Sequence, residues 1–94
     1  MDLETLRRFK PQILAIAAEN GVSDVRVFGS VARGDAGPDS DVDLLVKPLP
    51  KSGWGFFAIG TELEELLGVK VDVVSENAIN RHIREQVLKE AIPI

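Results

Sequence analysis

Apolar residues recur along this chain at two spacings, and the changes between them fall at glycines and prolines. Leu3, Leu6 and Phe9 lead into Ile13, Ile16 and Ala17, a helical stripe that predicts helix from the start of the chain to Asn20. Pro11 lies inside the stripe and predicts a kink or break there, because it lacks an N–H and suits only a first helical turn. Gly21 supplies the exit. The apolar run Val25-Arg26-Val27-Phe28 then predicts a strand, followed by a short helix capped by Ser30 and ending near Gly34. Gly37-Pro38 predict a loop, residues 42–46 a second strand, and Pro48 to Gly53 a second loop. Phe56, Ile59, Leu63, Leu66 and Leu67 return to helical spacing, which Gly68 ends. A strand over residues 70–74 follows, and Ser75 is placed to cap a last helix with Ile79, Ile83, Val87 and Ala91 facing inward. The fold class this implies is α/β, with a small sheet of three to four strands flanked by helices.

Length adds a limit to this picture. The 94 residues support one compact domain spanning residues 1–94, burying about 60–65% of its unfolded-chain surface, without room for a second substrate domain. An acceptor surface for any transfer reaction is therefore expected from another subunit or protein. The formal charge of -4, with no basic run longer than two residues, argues against a general nucleic-acid binder and makes a basic partner more natural. Cysteine is absent, so disulfides and thiolate metal sites are excluded. With no leader or long apolar span visible, no membrane association is expected and the cytoplasm is the expected compartment.

The candidate chemistry sits between residues 29 and 46. Gly29-Ser30 follows a strand and opens a helix, an arrangement whose free backbone N–H groups face an anion, and Gly29 leaves room for phosphate to approach the backbone. Asp41 and Asp43 stand two residues apart on a strand, so both side chains leave one face while Val42 and Leu44 take the other. Paired carboxylates repel unless a cation lies between them, and Mg²⁺ suits carboxylate and phosphate oxygens together. Asp72 interrupts the apolar strand Val69 to Val74, and beside Asp41 and Asp43 it would complete a two-metal site for phosphoryl or nucleotidyl transfer. It could also accept the proton of an attacking hydroxyl. Separately, a Gly-Ser after a strand is an ordinary turn, and Asp-x-Asp an ordinary exposed edge. Joined at this spacing, with a third strand acid downstream, they read as an active site.

Gly29-Ser30, Arg33-Gly34, Ser40-Asp41-Val42-Asp43-Leu44 and Asp72 together resemble the signature of the DNA polymerase beta-like nucleotidyltransferase superfamily, over nearly the whole chain. In size and phrasing the chain is similar to the minimal nucleotidyltransferase (MNT) antitoxins, which are commonly encoded beside a HEPN-domain ribonuclease toxin. The resemblance implies a mixed sheet with its first two strands antiparallel. It implies Gly29 and Ser30 as triphosphate contacts, and Asp41, Asp43 and Asp72 as Mg²⁺ ligands and catalytic residues. It further implies ATP as donor of an AMP moiety to a tyrosine of the toxin partner. The alternative of another class is a catalytically inactive antitoxin or regulatory subunit that neutralises its partner by binding. The chain lacks an arginine followed four to six residues later by histidine, the usual HEPN signature, so it is not itself the toxin.

Other residues leave alternatives open. Arg33 either contacts a phosphate, as a third nucleotide-binding residue, or pairs with Asp35 or Asp39. Trp54 either stacks on adenine, docks a partner or caps a small core. His82 reads as a surface residue. Lys47, Lys51 and Lys70 are each placed near strand ends where they could offset triphosphate charge. The apolar tail Ala91-Ile92-Pro93-Ile94 either docks a partner or lies back on the core.

Overall fold

A computed structural model describes residues 1–37, 40–50 and 55–94, with the backbone alone for residues 55–57. Asp39, Lys51 and Trp54, and the side chain of Phe56, lie outside the described residues. The chain opens with α1 (Leu3–Arg8) and α2 (Lys10–Glu19), and the helix breaks at Phe9 between them, two residues before Pro11, while the Phe9 side chain stays packed against the core. Pro11 occupies the first turn of α2, where its missing N–H costs nothing. Strand β1 (Val22–Phe28) follows Gly21, which holds φ 71°. Then come α3 (Gly29–Arg33), β2 (Val42–Pro48) and α4 (Gly55–Leu67). Strand β3 (Val71–Ser75), a 3-10 turn (Glu76–Ala78), α5 (Arg81–Glu90) and β4 (Ile92–Pro93) complete the fold.

The four strands form one mixed sheet in the order β3-β2-β1-β4. β1 pairs antiparallel with β2 and with β4, whereas β2 and β3 run parallel with α4 as the crossover. The antiparallel first pair and the sheet of four strands agree with the sequence expectation. A bulge between Ser23 and Arg26 gives β1 one extra residue against β2, and Asp24 within it takes φ 52°.

Alternation along β2 divides the sheet into two faces. Val42, Leu44 and Val46 point to one, where they join Val27, Val71 and the inner stripes of α1, α2 and α4 in the main core. Leu6, Ile13, Ala17, Val31, Ile59 and Leu63 are among the fully buried helix residues of that core. Asp41, Asp43 and Leu45 belong to the opposite face, against which the 3-10 turn packs. Leu45 is fully buried there, and Asp43 lies two residues before it. The same strand thus builds the core with one edge of its pleat and presents carboxylates with the other.

Three sequence expectations are corrected. Pro48 closes β2 opposite Val22 rather than opening a loop, a position at a strand end that proline tolerates. Ser75 caps the 3-10 turn, accepting a hydrogen bond from the Asn77 N–H at 3.3 Å, and does not cap the last helix. Asn80 does so instead, accepting from the His82 N–H at 2.9 Å. Helix α5 therefore starts at Arg81, and Ile83 stands 52% exposed rather than inward, although Val87 is buried. The apolar tail lies back on the molecule: Ile92 pairs with Val27, and Ile94 enters the main core.

Candidate functional site

Strand register brings the candidate residues to one end of the sheet. Phe28, the last residue of β1, pairs with Asp43 of β2, and Asp43 pairs in turn with Asp72 of β3. Paired residues on neighbouring strands lie about 4.8 Å apart and point to the same face, so Asp43 and Asp72 are side by side. Asp41 precedes β2 by one residue and sits two positions from Asp43 on that same face. Asp43 is half-buried and Asp72 exposed, which places Asp72 at the rim.

Electrostatics record the crowding. Burial first, then the Asp72 and Asp41 carboxylates, push the Asp43 carboxyl above its usual range, with Arg33 pulling the other way. Without a counter-ion the three acids repel, and among the described residues no three acidic or histidine side chains close around a single ion position. Lys70 reaches Asp41 at 4.0 Å, but both side chains are largely exposed, so the pair contributes little. Of the lysines left open by sequence, Lys70 adjoins the acids, while Lys47 pairs with Ser23 toward the far end of β2.

The Gly-Ser turn is fitted against these acids. Gly29 begins α3 with φ 74°, a left-handed conformation that side chains resist. A Cβ at this position would collide with Oδ2 of Asp43 and come within 3.2 Å of its Cγ. Glycine is thus required twice, by the backbone and by the carboxylate beside it. The expected cap is corrected: Phe28 holds the N-cap position, no side chain caps α3, and Ser30 lies within the first turn. That leaves the N–H groups of the turn without intrahelical partners. Gly34 ends α3 at φ 83°, as expected.

A cavity of about 400 Å³ opens beside this turn. One wall is formed by Gly29, Ser30, Arg33 and Asp43. The other comes from α5, through Ile83, Gln86, Val87 and Glu90, an i, i+3, i+4, i+7 stripe. Arg33 donates through Nε to Asp35 at 3.2 Å and through Nη1 to Glu90 at 3.1 Å, tying α3 to α5. Pairing with Asp35 was one of the sequence alternatives. The α5 wall and Glu90 were not singled out by sequence reasoning. Their signal was the mixed character of the stripe, two apolar residues and two polar ones on the same helical face, which suits a cleft better than a core. His82 is exposed, as expected.

Comparison with known proteins adds a family to this geometry. The pattern of the family described as a nucleotidyltransferase domain matches residues 10–94. The chain is 42% identical over 74 residues to the protein adenylyltransferase MntA of Thermococcus cleftensis, a match covering 77% of this chain and 74% of that protein. A solved structure described as a candidate minimal nucleotidyltransferase superposes with a TM-score of 0.87 at 50% identity, over 100% of this chain and 97% of that one. A chain from a toxin–antitoxin crystallised with AMP-PNP superposes with a TM-score of 0.75 over 89% of this chain and 70% of that one. Its 20% identity makes that last likeness one of fold alone.

Proposed function

The chain belongs to the nucleotidyltransferase domain family, in its minimal polymerase beta-like form, and from that premise we propose that it transfers AMP from ATP to a partner protein. The acceptor in this reading is a tyrosine hydroxyl of a HEPN-type ribonuclease toxin, and the transfer makes this chain an antitoxin. Similarity to an MntA protein adenylyltransferase supports the AMP transfer, and the fold shared with a chain of a toxin–antitoxin supports the partner class. One structural observation carries the site assignment: Gly29 packs against Asp43, which is in register with Asp72.

Within this site Gly29 and Ser30 hold the phosphates with backbone N–H groups, and Arg33 adds positive charge at the cavity edge. Asp41, Asp43 and Asp72 are the metal-holding set. Hard carboxylate oxygens on one face, with Asp43 already destabilised as an anion by its neighbours, fit Mg²⁺. When bound, the metal neutralises phosphate charge and lowers the energy of the oxyanions formed in transfer. Asp72, at the exposed rim, takes the proton of the acceptor hydroxyl. The hydroxyl oxygen bonds to the α-phosphorus, the bond from that phosphorus to the bridging oxygen breaks, and pyrophosphate leaves. Positioning and charge neutralisation supply most of the effect, so the chain needs no covalent intermediate.

The reading is tested by ATP binding with and without Mg²⁺, followed by turnover, in the wild type and in Asp41→Asn and Asp43→Asn. Mg²⁺-dependent ATP binding in the wild type, with transfer lost in both folded variants, is expected. Undiminished turnover in both variants would remove the metal assignment.

A further inference from the structure

Phosphates placed at Gly29-Ser30 account for only one side of the cavity. The opposite wall has a different chemistry. Ile83 is 52% exposed, one of three large apolar side chains so exposed among the described residues, and it lines this cavity where Leu14 and Leu49 do not. Val87 continues the apolar surface one turn on, and Gln86 lies beside both. The wall is anchored at each end. Arg84 donates to the Glu76 carbonyl at 3.1 Å near the start of α5, and Glu90 accepts from Arg33 at 3.1 Å at its end.

A cavity with a charged anion-facing wall, an apolar ledge and one amide suits a ligand that is polyanionic at one end and flat and apolar at the other. We propose that Ile83, Gln86 and Val87 form the seat of the nucleoside, with the base lying on Ile83 and Val87 and its edge read by Gln86. This inference rests on the nucleotide reading of the site and extends it to donor selection. The volume of about 400 Å³ falls in the range of small-molecule sites, roughly 300–1,000 Å³. Burial of the Ile83 side chain against a base gives the exposed residue a function, and an aromatic ring offers a large apolar face for it. The glutamine amide carries both donor and acceptor, which matches the donor–acceptor edge of adenine in a bidentate pair.

The test compares equilibrium binding of ATP and of inorganic tripolyphosphate, each with Mg²⁺, to the wild type, Ile83→Ala and Gln86→Ala. Both positions are exposed, so the variants are expected to fold, and unchanged melting temperature checks this. The expected result is ATP affinity lowered about tenfold by Ile83→Ala and by a smaller factor in Gln86→Ala, with tripolyphosphate affinity unchanged in both. Unchanged ATP affinity, or parallel loss of both ligands, overturns the inference and leaves the nucleotide reading standing. A wild type that binds neither ligand overturns the nucleotide reading and this inference together.

Discussion

A methyl group at Gly29 would have to displace the Asp43 carboxylate and would place a side chain at φ 74°. Gly29→Ala is therefore expected to cost about 1–2 kcal/mol of stability from the backbone alone, and to lower transfer more than stability because Asp43 moves. Denaturant unfolding alongside turnover separates the two effects. Asp43 itself makes a pH-dependent contribution whose sign follows from its raised pKa. A carboxyl that holds its proton more tightly when folded costs stability as pH rises from the ordinary carboxylate range through the raised value, and the cost is fully present above it. Asp43→Asn removes that cost, so without divalent cation the variant should melt at or above the wild type at neutral pH, with the difference closing in acid. A variant that melts well below the wild type at neutral pH would contradict the crowding of the acids. Added Mg²⁺ should raise the melting temperature of the wild type and leave the variant nearly unmoved. These residues were legible in sequence because each motif carries a local reason: a glycine at a strand-to-helix turn, and two acids at strand spacing. Glu90 was not, since a contact from Arg33 to a residue 57 positions away leaves no local pattern.

Elements with one strong period were the most readable. The fully buried Leu44 sits on the apolar edge of β2, and Leu44→Ala should destabilise the fold by about 2–5 kcal/mol in chemical denaturation. Where two signals competed, the reading failed. Ser75 and Asn80 are both good caps, and the extended backbone at Ile79, φ -71° and ψ 135°, gives the 3-10 turn to the first and the helix to the second. The two residues of β4 are too few to show any period, so their pairing with β1 emerged only in three dimensions. The α3–α5 tie has its own test. The Arg33–Glu90 pair is partly exposed, so Glu90→Gln should leave stability nearly unchanged. Freed from Glu90, Arg33 becomes available to phosphate, and ATP is expected to bind several-fold more tightly, as titration of wild type and variant would reveal. Weaker ATP binding in Glu90→Gln would mean that the tie positions the α5 wall rather than restraining Arg33.

At the scale of the whole molecule, the fold puts a core on one face of a four-stranded sheet and a line of acids on the other, at the end where β1 turns into α3. The mixed topology matters for this. An antiparallel β1–β2 pair brings the Gly-Ser turn beside Asp43, and a parallel β2–β3 pair brings Asp72 to the same place. Hydrophobic periodicity exposed β1, β2 and β3 but not their direction; the antiparallel β1–β2 pair came from the family resemblance and is present in the structure. Among the described residues no helix is long and apolar enough to cross a membrane. In the proposed reading the cavity seats the nucleotide and the acceptor comes from a partner, which makes the partner the decisive reagent. The measurement to make first is transfer of label from α-labelled ATP, with Mg²⁺, to the product of the adjacent gene, beside an Asp41→Asn/Asp43→Asn control. Label on the partner that disappears in the control is the expected result. A tight complex with no label on the partner would contradict AMP transfer and leave a protein that neutralises its partner by binding.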